Sequence, residues 1–80
     1  MKKSTQLILD AVIVAITAAG FKADRWSNYV KESKGEKRRF KISKTSVRYE
    51  AKMSSGWMRL RSGYIKDLSV VDGKVKGLRV

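Results

Sequence analysis

From residue 37 to residue 61, apolar and basic residues alternate along much of the chain. A period of two is typical of β-strands that bury one face and expose the other, because successive side chains point to opposite sides of a sheet. The apolar members of this pattern are Phe40, Ile42, Val47, Tyr49, Ala51, Met53, Met58 and Leu60. The pattern predicts antiparallel strands that share one apolar core and carry a basic face on the other side.

Turn residues divide this region into strands. Ser55-Gly56 indicates a hairpin turn, and Asp72-Gly73 is a stronger turn signal, which predicts a terminal hairpin that joins residues 68–71 to residues 74–80. The turn at Ser55-Gly56 predicts a register with these pairs opposite each other: Met53 and Met58, Ala51 and Leu60, Glu50 and Arg61, Lys52 and Arg59.

Residues 4–19 are apolar on nearly every side and favour an α-helix, although their β-branched residues leave a strand possible for part of the segment. Ser4 or Thr5 can cap its first turn, and Gly20 can end it in a left-handed conformation. So apolar a helix needs cover from a sheet or from a second copy of itself. A homodimer through this helix is therefore expected as a possible assembly, with a surface made of Leu9, Val12, Ile13 and Ile16.

Residues 24–34 allow two interpretations. A short second helix would use Asp24 as its cap and Gly35 as its end. Alternatively, a strand over residues 26–32 turns through residues 33–36 into a strand over 37–43. We favour the hairpin slightly, because a strand pattern follows at once. The expected fold is then α+β in a single domain over residues 1–80, with an N-terminal helix on one face of an antiparallel sheet of about four or five strands.

The chain carries 19 Lys and Arg against 7 Asp and Glu, a net charge of +12 on 80 residues. Self-repulsion of this size opposes compaction, so a polyanionic partner is expected. Nucleic acid is the commonest such partner, and an acidic protein is the alternative. A membrane partner is not expected, because the apolar helix and the basic residues lie on separate segments, whereas a helix bound at a membrane surface carries both.

If the apolar side chains face the helix, the bases that alternate with them share the opposite face of the sheet. The residues expected to contact phosphates there are Arg39, Lys41, Arg48, Lys52, Arg59 and Arg61, with Glu50 as the one acid among them. Lys37 and Arg38 are expected to flank the preceding turn. Among the aromatic residues that could stack on bases (Trp26, Tyr29, Trp57 and Tyr64), Trp57 is expected to be the most exposed. The alternative is a charged face that serves only solubility.

The chain contains no His and no Cys, which excludes classical zinc sites and catalytic triads that depend on His. Its acids are scattered, so we expect no metal, no cofactor and no enzymatic activity. The absence of cysteine fits a cytoplasmic location. The sequence thus predicts a small regulatory protein that binds nucleic acid through its sheet face, with DNA and RNA both open. The alternative is an interaction or inhibitor module that docks its basic face on an acidic or nucleic-acid-binding protein.

Overall fold

A computed structural model of the chain describes residues 3–26 and 28–79. Within them lie one helix, α1 (Lys3–Ala18), and a five-stranded antiparallel sheet in sequential order. The strands of this sheet are β1 (Lys22–Ala23), β2 (Asn28–Ser33), β3 (Glu36–Ile42), β4 (Ser46–Met53) and β5 (Gly56–Tyr64). A 3₁₀ turn (Ile65–Asp67) then leads into a two-stranded sheet of β6 (Ser69–Val71) and β7 (Lys74–Lys76). The predicted α+β class is confirmed, and the separate second sheet was not predicted.

Helix α1 ends where its glycine predicts. Gly20 has a φ of +103°, the N–H of Phe21 donates to the carbonyl of Ile16 at 3.1 Å, and the N–H of Gly20 donates to that of Thr17 at 3.0 Å. This pair of hydrogen bonds defines a Schellman motif, in which the residue after the glycine folds back on the last turn. Both Phe21 and Ile16 consequently belong to the core. No helix within the described residues is long and apolar enough to cross a bilayer.

The core lies between α1, the sheet and the C-terminal hairpin. Its buried apolar residues are Leu9, Val12, Ala15, Ile16, Phe21, Phe40, Val47, Ala51, Ile65 and Leu68. The Phe40 ring centroid lies 4.9 Å from that of Phe21, in an edge-to-face arrangement, and 4.9 Å from that of Tyr49. Leu9, Val12 and Ile16 of α1 share this core with Phe40 and Val47, so α1 packs on one face of the sheet, as predicted.

The residues predicted to form a dimer surface on α1 are not available for one. Leu9, Val12 and Ile16 are buried in the core, and Ile13 packs against it, because the C-terminal hairpin covers this side of the helix together with the sheet. The large apolar side chains that α1 exposes are different ones, Leu7 and Val14. Association of two copies stays a prediction.

The hairpin interpretation of residues 24–34 is correct. Strand β2 pairs with β3 and places Ser33 opposite Glu36. Lys34 and Gly35 have φ values of +54° and +79°, which identifies a two-residue type I′ turn. Strand β2 begins at Asn28, later than predicted, and Trp26 belongs to the preceding loop. Ser27, which the prediction included in this strand, lies outside the described residues, as do Met1, Lys2 and Val80.

The C-terminal hairpin forms as predicted, with Asp72 and Gly73 in a second turn of positive φ. Its second strand, predicted over residues 74–80, ends at Lys76 because Gly77 turns the backbone with a φ of +104°. Beyond this turn, Arg79 exchanges two backbone hydrogen bonds of 2.9 Å with Ser62 of β5. The chain thus returns to the free edge of the five-stranded sheet.

The predicted register of the β4–β5 hairpin is wrong. Met53 pairs with Gly56 instead of Met58, and Ala51 pairs with Met58 instead of Leu60. The cause is the position of the turn: Ser54 and Ser55 form the loop, and Gly56 begins β5 with a φ of +125°. The predicted Glu50–Arg61 and Lys52–Arg59 pairs are replaced by Glu50–Arg59 and Lys52–Trp57.

A β-bulge in β5 changes the faces of its arginines. Tyr49 pairs with Arg61 and the next residue, Glu50, pairs with Arg59, so Leu60 is an extra residue in β5. An extra residue inverts the alternation of side chains beyond it. Arg59 consequently lies on the face of the sheet opposite α1, whereas Arg61 lies on the same face as Tyr49, beside the helix. The prediction that these two arginines share a face is wrong.

Candidate functional site

The face of the five-stranded sheet opposite α1, called here the open face, carries one row of residues that crosses the strands. Directly opposed residues in antiparallel strands share a face and lie about 5 Å apart. The pairing runs from Asn28 to Lys41, then to Arg48, Ser62 and Arg79. The three bases in this row are exposed to solvent. The register therefore aligns cations from β3, β4 and the C-terminal segment.

At one end of this row the surface is concave. Arg48, Arg59 and Arg79 line a groove of about 730 Å³, called here the arginine groove. Ser46, Ser62 and Tyr64 contribute to its wall, and Asp67 is the one carboxylate in its lining. Guanidinium groups and hydroxyls are the side chains that bind phosphate or carboxylate oxygens. The arrangement therefore suits an anion.

The cations of this end form no ion pair with any residue that the structure describes. Within the described residues, the ion pairs shorter than 4.0 Å join Lys37 to Glu32, Arg38 to Glu36 and Arg39 to Glu50. None involves Lys41 or a residue of the arginine groove. Other exposed bases, such as Lys52 and Arg61, also form no ion pair with a described residue, but at the groove three such bases line one concave surface.

Arg39 lies on the open face, as predicted, but its charge is already neutralised. Its Nε donates to Glu50 Oε1 at 2.7 Å, and Glu50 is only 7% exposed. The same guanidinium lies 4.1 Å from the centroid of the Trp57 ring, close enough for a cation–π contact. Trp57 is consequently half-buried, and the expectation that it would be the most exposed aromatic residue is wrong. Trp26 and Tyr64, at 70% and 60% exposed, are far more accessible.

The remaining predicted residues divide between the two faces. Lys37 and Lys52 lie on the open face with Lys41, Arg48 and Arg59, since they oppose Glu32 and Trp57 respectively. Arg38 opposes Ala51, a core residue, and therefore lies on the helix side with Arg61. These two arginines border a separate groove of about 610 Å³, called here the helix-side groove, whose lining includes Phe21, Phe40 and Tyr49.

Sequence reasoning missed Arg79, and it named Tyr64 only as one of four aromatic residues that could stack on bases. Arg79 was placed in the last strand of the terminal hairpin, whereas Gly77 turns it back to β5. The available signal was a glycine within a short strand, which often marks a close approach of backbones. A Cβ atom on Gly77 would lie 2.5 Å from the carbonyl oxygen of Asp67.

A polar cluster closes the loop between β1 and β2. Asp24 Oδ1 accepts hydrogen bonds from the N–H groups of Trp26 and Asn28 at 2.8 and 3.0 Å, and Asn28 Nδ2 donates to Oδ2 at 3.3 Å. Desolvation by itself raises the pKa of Asp24, but these hydrogen bonds and the charge of Arg39 outweigh it, so the pKa lies below its ordinary value. The cluster ties Trp26 and Asn28 to Asp24, at the far end of the row from the arginine groove.

No group of three or more metal-binding side chains occurs in the part of the chain that the structure describes. Comparison of the chain with protein-family models, with curated proteins and with solved structures found no match. The geometry and the charge of the open face are therefore the observations from which function is argued.

Proposed function

We propose that this protein is a small non-enzymatic nucleic-acid-binding protein that contacts the phosphate backbone with its open face. The observation that carries the proposal is a group of four neighbouring bases on the open face that form no ion pair with any described residue, three of which line one groove: Arg48, Arg59, Arg79 and Lys41. The proposal includes a cytoplasmic location, which the lack of cysteine fits. Arg39, which pairs with Glu50, positions Trp57 and takes no direct part.

The spacing of these bases supports contacts to successive phosphates. Adjacent strands lie about 4.8 Å apart, so a cross-strand row presents one cation every one or two strand widths. Each phosphate neutralised releases counterions, which contributes about 0.9 to the slope of log affinity against log salt on duplex DNA and about 0.7 on single strands. Contacts from all four bases would give a slope of about −3.6 or −2.8, respectively.

A face that served only solubility would carry charges of both signs in a dispersed pattern. Three arginines that line one concave surface repel each other, and a groove focuses their field. This arrangement costs free energy in the free protein, and an anion that occupies the groove removes the cost. The convergence of three arginines on one concave surface therefore favours a binding function over a solubility function.

The test replaces two groove bases and compares them with two bases elsewhere. In Arg48→Glu/Arg59→Glu the groove loses two of its three arginines. The matched control, Arg61→Glu/Lys74→Glu, makes the same charge change at exposed positions outside the arginine groove. Affinity for labelled single- and double-stranded DNA and RNA is measured by fluorescence anisotropy at two salt concentrations, with circular dichroism as the check on folding.

We expect the groove variant to lose at least about tenfold in affinity at low salt. Its slope of log affinity against log salt should also be less steep, by the contribution of about two phosphate contacts. The control is expected to weaken binding less and to keep the wild-type slope. Equal losses in both variants would mean that total charge, and not the open face, governs binding. That result would refute the proposal.

The second candidate function is a protein-interaction or inhibitor module that docks on an acidic or nucleic-acid-binding protein. It is favoured by the helix-side groove, where the aromatic rings of Phe40 and Tyr49 lie beside Arg38 and Arg61. A mixed apolar and basic lining suits a protein segment that carries both apolar and acidic side chains. Weak binding to free nucleic acid, together with a complex in nuclease-treated extract that Arg61→Glu/Lys74→Glu abolishes, would favour this candidate.

A further inference from the structure

Tyr64 is an exposed aromatic residue in the wall of the arginine groove. It is the last residue of β5 and pairs with Ser46, so it lies on the open face. Lys66 places its Nζ 5.9 Å from the ring centroid. The groove thus combines an aromatic ring with Arg48, Arg59 and Arg79.

Packing does not account for the position of this ring. A tyrosine that serves the core buries its ring and satisfies its hydroxyl with a hydrogen bond. Tyr64 is 60% exposed, and its side chain makes no hydrogen bond to any described residue. The neighbouring Ile65, in contrast, is fully buried. The exposure of Tyr64 therefore points to a ligand that covers it.

The size and chemistry of the groove indicate which ligand this is. A volume of about 730 Å³ is in the range of sites that hold small organic molecules, roughly 300–1,000 Å³. Aromatic rings beside cations are typical of proteins that bind single strands, where bases stack on the rings and the backbone contacts the cations. A duplex offers its phosphates to the arginines, but its paired bases are stacked on each other and are not free to stack on Tyr64.

We infer that the arginine groove holds one unpaired nucleotide, whose base stacks on Tyr64 and whose phosphate contacts Arg48, Arg59 and Arg79. This inference rests on the proposed function and assigns its substrate class as single-stranded nucleic acid. The hydroxyls of Ser46 and Ser62, on the same wall, donate to phosphate or sugar oxygens. Asp67 stands at the groove as the acceptor for a donor group of the sugar or base.

The experiment compares Tyr64→Leu with Tyr64→Phe. Leucine removes the aromatic ring, whereas phenylalanine keeps it and removes only the hydroxyl. The matched control is Trp26→Leu, because Trp26 is exposed and aromatic but does not line the groove. Affinity is measured for a short single-stranded oligonucleotide and for the duplex of the same length, at two salt concentrations.

We expect the wild-type protein to bind the single strand more tightly than the duplex. Stacking contributes about 1–3 kcal/mol per base, so Tyr64→Leu is expected to weaken single-strand binding by about 5- to 150-fold. Its salt slope and its duplex affinity are expected to stay near the wild-type values, because no cation is removed. Tyr64→Phe and Trp26→Leu are expected to bind the single strand as the wild-type protein does.

Three results would overturn the inference: equal wild-type affinity for single strand and duplex, unchanged single-strand binding by Tyr64→Leu, or an equal loss in Trp26→Leu. Each would leave the proposed function intact as long as Arg48→Glu/Arg59→Glu weakens binding more than its control Arg61→Glu/Lys74→Glu does. If that arginine variant retains wild-type affinity for every oligonucleotide, the proposed function itself is wrong. The two failures are therefore distinguishable.

Discussion

The pair of Arg39 and Glu50 makes a quantitative prediction for stability. Glu50 is 7% exposed, and it accepts a 2.7 Å hydrogen bond from an arginine side chain that is 17% exposed. Removing one partner of a buried ion pair typically costs about 3–5 kcal/mol, because the other charge stays buried without compensation. Since Arg39 retains some access to water, we expect Glu50→Ala to cost about 3 kcal/mol, at the lower end of that range.

This cost is large for a chain of 80 residues, whose expected free energy of unfolding is about 4–12 kcal/mol. At about 4–8 °C per kcal/mol, the melting temperature of Glu50→Ala should fall by about 12–24 °C. Thermal unfolding followed by circular dichroism measures the shift, and urea unfolding gives the free energy.

The matched variant replaces both partners by leucine. Well-packed apolar residues often substitute for a buried pair without loss, so Arg39→Leu/Glu50→Leu should be much more stable than Glu50→Ala. Arg39 also covers the ring of Trp57. In the double variant, the leucine at position 39 should take over this apolar contact with the ring. A cost below about 1 kcal/mol for Glu50→Ala, or a double variant less stable than Glu50→Ala, would refute the reasoning.

Two further predictions concern Gly77 and Asp24. In Gly77→Ala a Cβ atom would meet the Asp67 carbonyl oxygen at 2.5 Å in a backbone of φ +104°, so the C-terminal segment should detach. The slope of log nucleic-acid affinity against log salt should then be less steep in this variant, by the contribution of about one phosphate contact, because Arg79 leaves the groove. An unchanged slope would show that Arg79 does not contact the nucleic acid. The pKa of Asp24 is lowered in the folded protein. Its contribution to the stability of the fold is therefore fully present above the ordinary carboxyl pKa and is lost as the pH falls through the lowered pKa. Asp24→Asn should lose this part of the acid dependence in urea unfolding, and an identical pH profile in both proteins would contradict the assignment.

Local chemistry made several elements predictable. The end of α1 depends on Gly20 and its two neighbours, and the hairpin turns depend on Lys34-Gly35 and Asp72-Gly73, which adopt the positive φ that two-residue hairpins need. The period of two likewise predicts which side of β3 and β4 faces the core. Each of these features is determined by residues that are adjacent or nearly adjacent in the chain.

The features that depend on distant residues were not predictable. Leu60 bulges because the pairing of β4 with β5 leaves it without a partner, and nothing in its own neighbourhood indicates this. Trp57 is covered because Arg39, held by Glu50, lies over its ring. Arg79 reaches the groove because Gly77 packs against the backbone of Asp67. All three errors affected the site, since the open face is assembled from segments far apart in sequence.

The extra residue at position 60 has a consequence for the comparison of this chain with related sequences. A relative that lacks this residue would keep its equivalents of Arg59 and Arg61 on the same two faces of the sheet, but they would be adjacent in sequence. An alignment without a gap at position 60 would then equate side chains on opposite sides of the sheet. Substitution patterns at these two arginines should be interpreted only after the strand pairing of each relative has been established.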